Sequence, residues 1–172
     1  MKFRIILAFI LLTFLLNCQK KSFDEFDFSY GNTFETDFSI KFNNSNDSVF
    51  IRENWSANDN NPRIKSPKSN TNYFSVLSNL QKKKLDSFIK EIQFKKYDSI
   101  YFENYEDGNH YRIYVKKNGE QKLISVHSNN SPKELDEFAF WIYELKKNLK
   151  LTETKKVLNF KSKIETSNPP EF

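Results

Sequence analysis

The only two imidazoles in the chain, His110 and His127, stand on either side of an Asn118-Gly119 dipeptide. Asn-Gly between two alternating runs is the signature of a two-residue type I′ hairpin turn. Pairing Lys117 with Glu120 across that turn fixes every opposed residue. Ile113 then faces Ile124 and Tyr111 faces Val126 on a core side, while Arg112 faces Ser125, Tyr114 faces Leu123 and His110 faces His127 on the other. The two histidines form a non-hydrogen-bonded pair, with Cα atoms about 4.5 Å apart. Such a pair can share a divalent metal such as zinc, given a third ligand from Glu103, Glu106 or Asp107. A water on that metal would be a nucleophile and a neighbouring carboxylate its base, which is the chemistry of a metal-dependent hydrolase. Against this, no His-x-x-x-His spacing is present, and polar residues are ordinary on the solvated side of a strand. The metal reading stands as the alternative.

Other chemistry is thinly represented. With three glycines, the chain carries neither a nucleophile elbow nor a glycine-rich phosphate loop. One cysteine, Cys18, allows no intramolecular disulfide and no thiol partner. Acidic neighbours such as Asp24-Glu25, or Glu103 with Glu106, are expected by chance among 22 acids and read as solvated surface. The formal net charge of +5 falls to +3 once Lys2 and Arg4 are removed, and the lysines are interspersed with acids. Nucleic acid is therefore excluded as a partner. Aromatic residues reach 16%, mostly as phenylalanine filling positions that leucine often takes. Trp55, beside a long polar loop, and Trp141, off the main helix stripe, are the aromatics expected to present a binding surface.

The elements that would position these groups follow from periodicity. Phe34, Phe38, Ile40 and Phe42 alternate with polar residues and predict a strand. The turn residues Asn43 to Asp47 return the chain into a second strand, Ser48 to Trp55. Residues 56–71 predict a loop and Tyr73 to Leu77 a short strand. Ser78 with Gln81 makes a capping box, and Leu85, Phe88, Ile89 and Ile92 follow at helical spacing over residues 79–93. Strands are expected at Tyr97 to Glu103, His110 to Lys117 and Glu120 to Ser128, with Val157 to Phe160 as a further edge strand. Ser131-Pro132-Lys133-Glu134 predicts an N-cap, an N1 proline and an N3 glutamate opening a second helix. The grouping predicts an α+β domain over residues 34–161, a mainly antiparallel sheet of five to six strands with two amphipathic helices on one face. Residues 18–33 read as a tether and 162–172 as a flexible tail.

Residues 1–17 have the layout of an export signal: Lys2 and Arg4, then an apolar run from Ile5 to Leu16. That run is too short to span a bilayer, which needs about 20 apolar residues. Leu15-Leu16-Asn17-Cys18 resembles the lipobox of bacterial lipoproteins. The resemblance implies cleavage before Cys18, acylation of its sulfur and amino group, and a membrane anchored by several chains, each methylene adding about 0.8 kcal/mol. Gln19 behind the cysteine implies the outer membrane, and Lys20-Lys21 the face toward the periplasm. The mature part is similar in general character to the small uncharacterised lipoproteins of Bacteroidota. The expectation is a lipid-anchored, non-enzymatic binding module, possible in an immunity-protein-like form, whose partner is a protein or another envelope component. No cofactor is expected unless the histidines hold a metal.

Overall fold

The computed structural model describes residues 22–61, 63, 67–105 and 108–163. Residues 1–21, which include the segment read as an export signal and Cys18, lie outside the described residues, as do Glu106 and Asp107. The strands are β1 (Glu25–Asn32), β2 (Thr36–Phe42), β3 (Ser48–Ser56), β4 (Thr71–Val76), β5 (Ile100–Phe102), β6 (Asn109–Lys117), β7 (Glu120–His127) and β8 (Thr152–Glu153). The helices are α1 (Asn79–Glu91) and α2 (Lys133–Lys147). All eight strands join one sheet in the order β5-β7-β6-β1-β2-β3-β4-β8, antiparallel except for the β5–β7 pair. The α+β class holds, but the sheet is larger than the expected five to six strands.

Part of the excess is β1. Phe26, Phe28 and Tyr30 share one parity and Asp27 and Ser29 the other, so the segment assigned to a tether is a strand at the centre of the sheet. Its neighbours pair along its whole length, Phe28 with Ile40 on β2 and with Ile113 on β6. The β6–β7 register places Lys117 opposite Glu120 and Ile113 opposite Ile124, as the Asn-Gly turn requires. Asn118 and Gly119 both have positive φ, 54° and 81°, the backbone twist that a type I′ turn supplies.

Antiparallel pairing gives the sheet two ends. At the entry end lie Ser22, the 43–47 turn and the 118–119 turn; at the far end lie the β1–β2 turn and the connections leading into β6 and α2. Both helices run across the strands on the face formed by Phe26, Ile40, Ile51, Ile113 and Ile124. Helix α1 crosses near the entry end, from Asp47, which pairs with Lys82, to Glu120, which pairs with Lys95 just beyond the helix. Helix α2 crosses back near the far end, from Tyr111 on β6 to Thr36 and Glu53 on β2 and β3. Phe138 sits at the crossing, with ring centroids 5.6 Å from Phe26 and 5.0 Å from Phe88.

The caps differ from expectation at one helix. Ser78 and Gln81 form the reciprocal capping box on α1. On α2 the N-cap is Pro132, with no side-chain cap. Ser131 instead donates its hydroxyl to Asp136 Oδ1 at 2.6 Å, so the residue read as the cap is spent inside the helix's first turn.

The second face is closed by chain rather than by helices. Residues 157–160 form no edge strand; β8 takes that role beside β4. From there the chain crosses the outer face as a strap over β4, β3, β2, β1 and β6 in turn. Asn72 donates to Lys156 O at 2.9 Å, Lys156 Nζ lies 4.0 Å from the Phe50 ring centroid, and Lys41 reaches Asn159 O. Lys161 N and Ser162 N then donate to the Asp27 carboxylate, at 3.2 and 2.7 Å. Arg112 closes the path with a 2.7 Å bond to Lys163 O. Asp27, Ser29, Ser39 and Ser162 are all buried, linked by Ser29 Oγ to both other hydroxyls. Ser162 is thus part of the packed domain, not of a tail.

Two backbone donors on a buried carboxylate are charge-assisted bonds, each worth about 1.5–3 kcal/mol. Replacing Asp27 by alanine should therefore free the strap. Trypsin should cut after Lys156 and Lys161 in Asp27→Ala while leaving those bonds intact in the wild type, as read by mass spectrometry of limited digests.

Candidate functional site

Four large aromatic side chains are exposed among the described residues, Phe34, Trp55, Phe102 and Phe140, and all four belong to the far end. Phe34 is in the β1–β2 turn, Trp55 near the end of β3, Phe102 at the end of β5 and Phe140 on the outer side of α2. Between them the far end carries two clefts on the helix face and a row of side chains on the other face.

The larger cleft, about 480 Å³, lies between α2 and the ends of β1 and β6. Its walls are phenols and amides: Tyr30 donates to Asn109 Oδ1 at 2.8 Å, Tyr111 to Asp136 Oδ1 at 2.7 Å, and Tyr143 to Glu35. Burial, then the neighbouring carboxylate, pushes Tyr111 and Tyr143 far above the usual phenol range. Loss of the proton from these hydroxyls is disfavoured, which suits them as hydrogen-bond donors. With Phe140 at the rim, the lining suits hydrogen-bonded and stacked groups rather than bond-breaking chemistry.

Tyr143 also borders the smaller cleft, about 270 Å³, whose floor is an ion pair that sequence reading missed. Lys146 Nζ lies 2.8 Å from Glu53 Oε2 and 3.1 Å from Oε1, and Thr36 donates to the same Oε1. Glu53 is 0% exposed and Lys146 5%. The ammonium further rests 4.8 Å from the Phe38 ring centroid. Desolvation raises the Glu53 pKa above the ordinary carboxylate range, with Lys146 acting in the opposite direction. Glu53 shares a parity with Val49 and Ile51, so alternation alone marks it as inward; its partner, 93 residues on, emerges only from the folded register.

The outer face carries a lateral row across six strands. Phe102 pairs with His127, His110 with Gly31, Gly31 with Asp37, and Asp37 with Trp55 beyond a bulge. The hairpin register brings the two imidazoles side by side, ring centroids 6.2 Å apart. Their Nε2 atoms have different surroundings. His127 Nε2 is 2.9 Å from Tyr105 O with the ring stacked on Tyr105, and His110 Nε2 lies over Gly31, where a Cβ would overlap it. Glu103, offered as a third ligand, binds Asn129 N and the Asn130 side-chain amide; the first of these chiefly holds its pKa low. Among the described residues no three His, Cys, Asp or Glu side chains cluster as a metal site. Glu106 and Asp107 lie outside them.

Trp55 is open at this end, as expected. Trp141 is not: its ring packs on Phe88 and Phe138 at 5.3 and 6.3 Å and covers the seam between the helices. The loop over 56–71 is folded at both ends. Residues Ala57–Asn60 form a 3-10 turn, and Lys68 Nζ donates to Asn58 O at 2.7 Å.

Two predictions follow from buried charge. Lys146→Met leaves Glu53 without its cation and should cost about 3–5 kcal/mol in urea unfolding, whereas Glu53→Leu with Lys146→Met should recover most of that. Burial, reinforced weakly by His127 and opposed by Asp37, lowers the His110 pKa below 6.5. On acidification the unfolded imidazole protonates first, so stability falls as pH drops below that value. The urea midpoint should fall more steeply between about pH 7.5 and 5.5 in the wild type than in His110→Gln.

No family model, no curated protein and no solved structure matches this chain.

Proposed function

We propose that this protein is a lipid-anchored envelope module that binds a partner protein through the far end of its sheet. The observation that carries the reading is the placement of the four exposed aromatics at the end opposite the chain's entry. Single exposed apolar residues are ordinary, but aromatics gathered on one end resemble the anchors of a protein interface. The lipobox-like Leu15 to Cys18 stands only a few residues before Ser22, at the entry end. An acylated Cys18 would then hold the entry end toward an outer-membrane surface and present the far end to the periplasm. Charges of both signs stand there too, Glu35, Asp37, Glu103 and Asp136 with Lys147, which pairs with Glu35, so the partner surface is mixed in charge. Phenols held as donors to carboxylates suit recognition of polar groups.

The test joins the two halves of this reading. Cells fed a fatty-acid analogue should label the wild type and leave Cys18→Ala unlabelled. Stoichiometric, salt-sensitive co-purification from detergent-solubilised membranes should be lost when Phe34, Trp55, Phe102 and Phe140 become alanine, each truncation weakening binding by about tenfold or more if it is an interface anchor. A label retained on Cys18→Ala, or a partner held equally by the alanine variant, would refute the corresponding half.

A further inference from the structure

We infer that the entry end is itself a docking surface for anionic phospholipid headgroups, which fixes the anchored domain upright on the membrane. This rests on the lipid-anchored reading and adds a second, electrostatic attachment to it. A groove of about 530 Å³ opens at this end beneath the close of α1 and the β6–β7 turn. Ile92 and Phe94 form its floor, and Lys90, Lys95, Lys96, Lys117 and Lys122 stand around it. Glu120 is the one acid in the lining, and it pairs with Lys95. Over residues 79–96 six lysines face only two acids, Asp86 and Glu91.

Position makes the membrane the occupant. The described chain begins beside this groove: Ser22 Oγ bonds Asp86 of α1, and Asp24 accepts from Gly119 N at 3.2 Å. Four residue steps separate Ser22 from Cys18, and a chain spans at most about 3.6 Å per residue. Ser22, beside the groove, is thereby held within roughly 15 Å of Cys18, where headgroup phosphates are the nearest anions. Lys20 and Lys21 lie within that same span. Each lysine close to an anionic bilayer favours contact by about fivefold, and the attraction fades beyond a Debye length of about 8 Å.

Site-directed spin labelling on the mature lipidated protein in vesicles tests this. With Cys18 acylated, an introduced cysteine is the only free thiol, so Gln93→Cys reports the groove and Asn129→Cys the far end. In vesicles containing phosphatidylglycerol, the label at 93 should be several-fold less accessible to an aqueous nickel chelate than the label at 129. The difference should collapse in pure phosphatidylcholine, in about 1 M salt where screening shortens to about 3 Å, and when the five groove lysines become glutamine. Equal accessibility on anionic vesicles with which the protein floats would overturn the docking and leave the anchor standing. Shielding of position 93 that appears only when envelope proteins are added would overturn it in favour of a protein occupant. Failure to float with any vesicle would overturn the anchor, and the docking with it.

Discussion

A sheet of eight strands has two faces, and two helices can cover only one of them. That constraint organises the molecule. Strand β1 lies at the centre and is buried on both sides, under Phe138 on one and under the strap on the other. Its outward side chains are Asp27 and Ser29, groups that ordinarily face water. They are tolerated because the strap brings backbone donors and a serine hydroxyl to meet them. Without that closure a carboxylate would be stranded at the heart of the sheet, at a cost of several kcal/mol.

The same economy of polar burial recurs on the helix face. Glu53 and Lys146 tie the far end of α2 to β3, while Tyr111 and Asp136 tie its beginning to β6. Apolar packing at Phe138 sets how closely the helix lies; the polar ties at its two ends set its direction and register. Buried pairs of this kind add little net stability over apolar residues of the same shape, while a displaced arrangement that leaves one charge unpaired costs several kcal/mol. Both clefts and the aromatic rim depend on α2 stopping where it does.

Much of this was legible from residue order. The Asn118-Gly119 turn announces its hairpin and thereby the adjacency of His110 and His127; Ser78 with Gln81 announces α1. In both, the determinant lies within a few residues of what it determines. Strand β1 was obscured because Asp24, Glu25 and Asp27 break its apolar run, and the groups that accommodate Asp27 lie about 135 residues on. Glu53 and Lys146 are equally remote in the chain. Trp141 is half-buried because a residue beside the main stripe of one helix is partly covered when a second helix lies against that flank. Ser131 was misread as a cap because a hydroxyl one position too early has a better acceptor in Asp136. Long-range polar pairing and helix-helix contact are the parts that periodicity cannot carry.

The direction of β1 has a mechanical consequence. Its first residue is nearest the chain's entry, and it is hydrogen-bonded to β2 on one side and β6 on the other over its whole length. Ladder bonds of antiparallel strands run perpendicular to the strand axis. Tension arriving at the amino end therefore shears two full ladders at once instead of unzipping one rung after another. A domain threaded this way resists being pulled open from its amino end.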